Sequence, residues 1–281
     1  MEGPSLLWKT LRRWRQAGRS VVWHAASHFK AVRVRTWLNQ IHRGGSAKFV
    51  VNSKRALIFA PHQDDETFGC GGLIALKCSQ DVPVKVVFLT DGSQSHGSQS
   101  NSKSVAQVQQ LHVLKRRQEA EAALAILGVP PTRTHFLNFQ DGGLSRLSSE
   151  QRQDSVERLA ELLQDFVPEE VYLPHHQDRH PDHEATYALV IEALRLTELR
   201  EQVAVWQYPI WFFWDTPSGF NLRRPKLNGL YGLSIGAVRE QKQRAIAVYA
   251  SQTGGEQSGV LPPGFLEQFM GSFELFFQQS G

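Results

Sequence analysis

Short apolar runs alternate with amphipathic segments along most of this chain, and no other feature constrains the fold as strongly. Five runs predict strands: 56–60, 84–90, 134–139, 169–175 and 203–209. The first two are apolar enough to be buried on both faces. Four segments with helical periodicity lie between them: 67–79, 105–127, 148–166 and 182–199. We therefore expect an α/β fold, with a Rossmann-like, doubly wound, mostly parallel sheet of about five or more strands flanked by helices.

Polar residues follow four of the predicted strands. His62–Glu66 follow the first strand, Asp91 the second, Asp141 the third and His175–His183 the fourth. Ligands of doubly wound sheets bind at the carboxyl ends of the strands. The sequence therefore predicts one site at this edge of the sheet.

The histidines and aspartates of this edge form a set of nitrogen and oxygen ligands that suits zinc. His62 and Asp65 are three residues apart at a predicted helix start, and His183 can add a third ligand. Two imidazoles and one carboxylate leave a position for water, which is typical of a catalytic zinc site. We expect Zn²⁺, with another divalent metal as the alternative.

Hydrolysis at such a centre also needs a base and a group that stabilises the oxyanion. Asp64 adjoins the predicted ligands and is the expected base. His180 is the expected oxyanion partner or acid, acting as an imidazolium. Asp182 or Asp178 would orient His180.

Two neighbouring residues have plainer interpretations. We expect Glu66 to act as a supporting acid at a helix N-terminus. We expect His176 to be a surface histidine.

Two motifs give the chain a strong resemblance to the PIG-L/LmbE-like N-deacetylase family, the N-acetylglucosaminyl-phosphatidylinositol de-N-acetylase superfamily. The family's first motif, (A/P)HPDDE, corresponds to Pro61–Glu66, with Gln63 in place of proline. Its second motif, HPDH, corresponds to His180–His183. The resemblance covers roughly residues 54–252, and a family histidine is replaced near Tyr249.

The resemblance implies roles for individual residues. It implies zinc on His62, Asp65 and His183, with Asp64 as general base and His180 as electrostatic partner or acid. From a family "RxxE…A…LG" helix it also implies a substrate-binding arginine. Arg116 is the candidate for this arginine, with Arg117 as the register alternative. The resemblance also implies that Asp141 contacts a sugar hydroxyl.

The leading functional hypothesis is zinc-dependent removal of acetyl from an N-acetylated amino sugar in a conjugate. The substrate would be a small molecule, or a lipid- or nucleotide-linked amino sugar. Two alternatives remain: an amidase acting on another N-acyl group, and a non-catalytic metal- or glycan-binding protein on the same scaffold.

The N-terminal region differs from the rest of the chain. Residues 1–55 contain twelve Lys or Arg and one acid, whereas the remainder contains 19 basic and 26 acidic residues. The pattern divides the chain into a basic amphipathic helical arm (1–45) and a single α/β deacetylase domain (46–281). The Phe-rich C-terminal extension of this domain, from about residue 253, is expected to cover the body of the domain.

The apolar face of residues 5–41 has two possible uses. It can pack on the body or on a second subunit, which would make a homo-oligomer. It can instead make a peripheral membrane contact. The body's net acidity argues against nucleic-acid binding.

The expected location is cytoplasmic, with peripheral contact to the inner membrane surface as an open alternative. The N-terminus lacks the features of a signal peptide, and two cysteines eight residues apart on one predicted helix are too distant to bridge.

Overall fold

The computed structural model describes residues 26–44, 46–94, 103–215, 229–253 and 261–279. Within these ranges the chain forms an eight-stranded sheet in the order β1-β7-β8-β6-β5-β2-β3-β4. The strands are β1 Ala47–Phe49, β2 Ala56–Ala60, β3 Val84–Thr90, β4 Thr134–Phe139, β5 Glu170–Pro174, β6 Ala204–Tyr208, β7 Leu230–Ser234 and β8 Phe273–Gln278. All neighbouring strands are parallel except β8, which is antiparallel to β6 and β7. The predicted α/β, mostly parallel sheet is confirmed.

Helices cover both faces of the sheet. A first helix, α1, spans residues 26–44. The others are α2 Asp65–Cys78, α3 Lys103–Leu127, α4 Ser149–Phe166, α5 Pro181–Leu196, α6 Phe212–Asp215, α7 Arg239–Val248 and α8 Ala250–Thr253. Every helix predicted between two strands is present, with ends shifted by no more than a few residues.

The central strands are apolar throughout because both of their faces are buried. Leu57 and Phe59 of β2 point into a core cluster with α4 and α5. Ile58 and Ala60 point to the opposite face, into a cluster with α1, α2, α3 and α7. Alternate residues of a strand face opposite sides, so a continuous apolar run serves two cores.

Glycines allow α2 to lie close to the elements around it. A Cβ at Gly69 would come within 2.3 Å of the Tyr208 ring, and one at Gly72 within 2.4 Å of Ile235. Only glycine fits these contacts, which hold the first turn of α2 over the end of β2.

The C-terminal segment does more than cover the body. Its strand β8 enters the sheet between β6 and β7, and Phe276 is fully buried there. Strands β1, β7 and β8 were not predicted from the sequence.

The described part of the basic arm packs on the body. In α1, Ala31, Val34, Leu38 and Ile41 recur every three or four residues and are buried in the main core. Trp37 lies edge-on to Phe213, with ring centroids 5.2 Å apart. The rest of the proposed amphipathic face, residues 5–25, lies outside the described residues. In the described ranges, no helix is both long enough and apolar enough to cross a membrane.

The strand order places the predicted site. From β2 the chain proceeds through β3 to β4 on one side, and β5 lies on the other side of β2. The order therefore reverses between β2 and β5, and such switch points form the ligand crevice of doubly wound sheets. The loops after these two strands carry the two motifs.

A buried ion pair joins β8 to α2 and α7. The Glu274 carboxylate lies 2.7 Å from Lys242 Nζ and also accepts hydrogen bonds from Gly72 N and Leu73 N. The ammonium of Lys242 donates in turn to Phe68 O. Both side chains are 2% exposed.

We predict that Glu274→Gln lowers the free energy of unfolding by about 3–5 kcal/mol, because it leaves the buried ammonium of Lys242 without its counter-charge. Chemical denaturation measures the change. The matched control is Glu267→Gln, which removes an exposed pair with Arg35 and should cost about 1 kcal/mol or less. Equal losses in the two variants would contradict the role given to the buried pair.

Candidate metal centre

The three predicted metal ligands converge although they come from two distant parts of the chain. His62 lies in the loop after β2, Asp65 begins α2, and His183 lies in the first turn of α5. The Oδ2 atom of Asp65 is 3.2 Å from His62 Nδ1 and 3.3 Å from His183 Nε2. One carboxylate oxygen thus faces one nitrogen of each ring.

Carboxylates contact the other nitrogen of each of these two rings. His62 Nε2 lies 3.2 Å from Asp141 Oδ1 and 3.3 Å from Asp182 Oδ2. His183 Nδ1 lies 2.7 Å from Asp178 Oδ2. Histidines that bind metals usually have this arrangement, because the carboxylate fixes the ring's orientation and raises its basicity.

Backbone N–H groups in turn fix two of these carboxylates. Asp178 accepts hydrogen bonds from the consecutive amides of Ile210, Trp211 and Phe212. The sequence analysis expected Asp178 or Asp182 to orient His180, but Asp178 contacts His183. The physical reason is that Asp178 lies in the loop before α5, fully buried against the chain after β6.

Asp182 supports His62 in the same way. Its carboxylate accepts from Gly142 N at 2.7 Å and Leu144 N at 3.1 Å, and it is fully buried. The loop after β4 therefore reaches the first motif through Asp182.

The donor set fits a divalent cation. His183 Nε2 is buried, and its 3.3 Å contact with Asp65 Oδ2 does not have hydrogen-bond geometry, so this nitrogen is available to a cation. Burial lowers the pKa of His183, but Asp65 and Asp178 outweigh burial and raise it to about 9. The same carboxylates would favour a cation placed between the rings and Asp65.

His180 adjoins this set and offers a further nitrogen. One ring nitrogen each from His62, His180 and His183 lies within 4.8 Å of the others. A second group with this spacing consists of His62, Asp141 and Asp182. The sequence had already indicated His180, Asp141 and Asp182 as site residues, in roles other than metal ligand.

The charge state of His180 differs from the expected imidazolium. Burial, together with the neighbouring His183 and His62, lowers its pKa to about 3. Its Nδ1 accepts a hydrogen bond from Asp182 N at 3.3 Å. The ring is therefore neutral near pH 7, with its proton on Nε2 as a donor.

Asp64 lies in a strained and buried position beside the proposed ligands. Its φ angle is 142°, in a region that favours glycine. Burial raises the pKa of its carboxyl to about 8, while the Arg116 guanidinium, 3.6 Å away, acts in the opposite direction. A carboxyl tuned upward by burial suits proton transfer near neutral pH.

The two candidate arginines occupy different environments. Arg116 is 2% exposed, donates to Gln63 O at 2.7 Å and lines the cavity in front of the metal ligands. Arg117 is exposed and pairs with Glu121 one helical turn away. The structure therefore places Arg116, and not its register alternative, at the site.

A cavity of about 300 Å³ opens in front of this cluster. The candidate residues His62, Asp64, Asp65, Arg116, Asp141 and His180 all line it. Its other lining residues include Trp211, Gln252 and Phe265, which the sequence analysis did not select.

Comparison with protein families matches residues 57–194 to the PIG-L family, described as GlcNAc-PI de-N-acetylase. This match contains both motifs and the strands that position them. The chain belongs to the PIG-L/LmbE-like N-deacetylase family.

Curated relatives of this PIG-L family chain are known from bacteria. It is 32% identical over 143 residues to the probable N-acetyl-alpha-D-glucosaminyl L-malate deacetylase 2 of Bacillus subtilis, covering 50% of this chain and 61% of the relative. It is 30% identical over 189 residues to 1D-myo-inositol 2-acetamido-2-deoxy-alpha-D-glucopyranoside deacetylase of Mycolicibacterium gilvum, covering 62% and 63%. The chain thus spans about three fifths of the length of these relatives.

A solved structure shares the fold of this PIG-L family chain. The N,N'-diacetylchitobiose deacetylase of Pyrococcus horikoshii aligns with a TM-score of 0.57 at 24% identity. The alignment covers 86% of this chain and 91% of that one.

Two departures from the PIG-L motifs have structural consequences. Gln63, in place of proline, is buried and donates to Thr90 O at 2.7 Å. Tyr249, where a family histidine is replaced, is fully buried and donates its hydroxyl to Glu66.

Glu66 has a larger structural role than the expected helix N-terminal acid. It is fully buried and accepts hydrogen bonds from Tyr249, Thr67 and the backbone N–H of Asp64. These bonds hold the strained residue Asp64 in place. His176 is exposed, as expected.

Asp141, implied as a sugar-hydroxyl contact, has partners within the protein. Its Oδ1 contacts His62, and its Oδ2 accepts from Gln94 N at 2.9 Å. Asp141 lines the cavity, so a role in orienting His62 is compatible with a substrate contact.

We predict that Asp178→Asn weakens metal binding about 10–100-fold, the usual effect of losing the carboxylate behind a ligating histidine. The NH₂ of the new side chain would also face backbone N–H groups that now donate hydrogen bonds to the carboxylate. Competition for Zn²⁺ with a chromogenic chelator measures the dissociation constant. Asp165→Asn, at an exposed site on α4, is the control. Unchanged Zn²⁺ affinity in Asp178→Asn would contradict the ligand role of His183.

Proposed function

We propose that this chain is a zinc-dependent deacetylase that removes acetyl from an N-acetylglucosamine-containing conjugate. One observation carries the proposal: two histidines with carboxylates behind them converge on Asp65 beside a buried, strained Asp64. Membership of the family assigns the chain to the hydrolases of amide bonds. The relatives named above act on acetylated glucosamine linked to malate or inositol, or on chitobiose, which supports the same class of substrate.

The proposed ligands are His62, Asp65 and His183. A zinc ion bound there supplies a Lewis acid for the amide carbonyl and lowers the pKa of a water molecule to about 7. Two imidazoles and one carboxylate match the ligand set of a catalytic zinc site.

Asp64 acts as the base in this proposal. It removes a proton from the attacking water as the water oxygen bonds to the acyl carbon. The C–N bond then breaks, and the same proton passes to the leaving nitrogen, so that the products are a free amine and acetic acid, which ionises to acetate. The pKa of Asp64, raised by burial and lowered by Arg116, suits a group that must both accept and return a proton.

His180 stabilises the oxyanion as a neutral donor. Its Nδ1 is engaged by the Asp182 amide, so its Nε2–H is free to face the carbonyl oxygen in the cavity. A positioned donor of this kind contributes about 2.7–4 kcal/mol to the transition state. The low pKa of His180 makes Asp64 the better proton source for the leaving group.

We predict that Asp64→Asn lowers the rate of acetate release about 10²–10⁴-fold, the usual contribution of a general base, while bound zinc stays near one per chain. Metal analysis and an acetate assay on the same preparation measure both quantities. Asp81→Asn, at an exposed turn that also has positive φ, is the control. A wild-type rate in Asp64→Asn would remove the proposed mechanism.

A panel of acceptors separates the three functional hypotheses. We expect the metal-loaded protein to release acetate from at least one of free, nucleotide-linked, inositol-linked and lipid-linked N-acetylglucosamine. Faster release of butyrate from the N-butyryl counterparts would favour the amidase acting on another N-acyl group. Binding of a conjugate without release of any acid would favour the non-catalytic binding protein.

A further inference from the structure

The lining of the catalytic cavity contains both polar and apolar residues. The polar candidate residues described above form one group. The other group, which we call the apolar wall, has five members: Phe68, Ile210, Trp211, Leu261 and Phe265. The proposed mechanism uses none of their side chains.

Aromatic packing holds the wall in a fixed shape. Phe265 is fully buried, with its ring centroid 4.3 Å from Trp211 and 5.2 Å from Trp214. The Phe68 ring stacks on Phe269 at 5.1 Å. The wall is therefore formed before any substrate binds, which lowers the entropy cost of binding.

The wall is also linked to the metal centre. The backbone N–H of Trp211 donates to both oxygens of Asp178, at 3.1 Å each. Asp178 in turn holds His183 at 2.7 Å. The Trp211 ring lies 6.5 Å from the His180 ring, so the wall begins beside the residue that faces the carbonyl.

We propose that the conjugate carries an apolar aglycone that binds against this wall. The inference rests on the proposed function, which fixes the acyl group as acetyl. Trp211 and Leu261 are the wall side chains that are partly exposed, and they lie with the buried Phe68, Ile210 and Phe265 in the cavity lining. Sugar hydroxyls suit the polar residues of the cavity. The apolar surface of Trp211 and Leu261 is therefore available to the group attached to the sugar, and burying that group supplies binding energy.

The experiment compares kcat/KM for acetate release from methyl and octyl glycosides of N-acetylglucosamine with the same anomeric configuration, and from the uridine diphosphate sugar. We expect the octyl glycoside to exceed the methyl glycoside by at least about tenfold, since even one methylene in an apolar pocket gives a factor of about ten or more. We expect the nucleotide sugar, whose aglycone is polar, to have a lower kcat/KM than the octyl glycoside.

Variants test whether the wall causes the preference. Trp211→Ala and Leu261→Ala should each reduce the octyl-to-methyl ratio to about threefold or less, and having two variants guards against a folding defect in one. Leu196→Ala removes an exposed leucine at the end of α5 and should leave the ratio unchanged.

Three results would overturn the inference while the proposed function stands: an octyl-to-methyl ratio near one, a nucleotide sugar that is the best substrate, or a high ratio that neither wall variant changes. If the metal-loaded protein released no acetate from any of these compounds, the proposed function would fail, and the inference with it.

Discussion

The hydrogen bond between Asp178 and His183 is the contact on which the rest of the site depends. Asp178 is fully buried, and three consecutive backbone amides after β6 donate to its carboxylate. The Oδ2 atom of the same carboxylate lies 2.7 Å from His183 Nδ1. The ring therefore presents Nε2 to Asp65 with little rotational freedom. A similar arrangement at His62, with Asp182 fixed by amides after β4, gives the centre two rigid sides.

This construction follows from the order of the strands. The order of the strands reverses between β5 and β2. Because these two strands are parallel neighbours, the loops after them lie side by side. The loops after β4 and β6 lie further out, and they supply the backbone donors that fix Asp182 and Asp178. Close packing of α2, which depends on glycine at positions 69 and 72, keeps Asp64 and Asp65 over the end of β2.

Much of this arrangement could be predicted from the sequence, because its signals are local. The first three predicted strands have the predicted bounds. For β2 the reason is that a run buried on both faces has no polar residue to blur its ends. The ligand candidates occupy short motifs at strand ends, and the parallel sheet accounts for their convergence. Arg116 could be separated from Arg117 only by its burial in the folded chain.

Other features depend on contacts that no local pattern encodes. Strand β8 pairs with β7, whose residues lie some forty positions earlier in the sequence, and its register is set by tertiary packing. The neutral state of His180 depends on burial beside His62 and His183, and the role of Glu66 depends on Tyr249. The apolar wall combines Phe68 with residues from two later segments, and no spacing in the sequence connects them.

The central claim is that His62, Asp65 and His183 hold a divalent metal that deacetylation requires. The most direct test is elemental analysis of protein purified without added metal, followed by chelation and reconstitution with an acetate assay at each stage. The account predicts close to one zinc ion per chain, loss of acetate release on chelation, and recovery on adding Zn²⁺. Full acetate release from protein that contains no metal would contradict it.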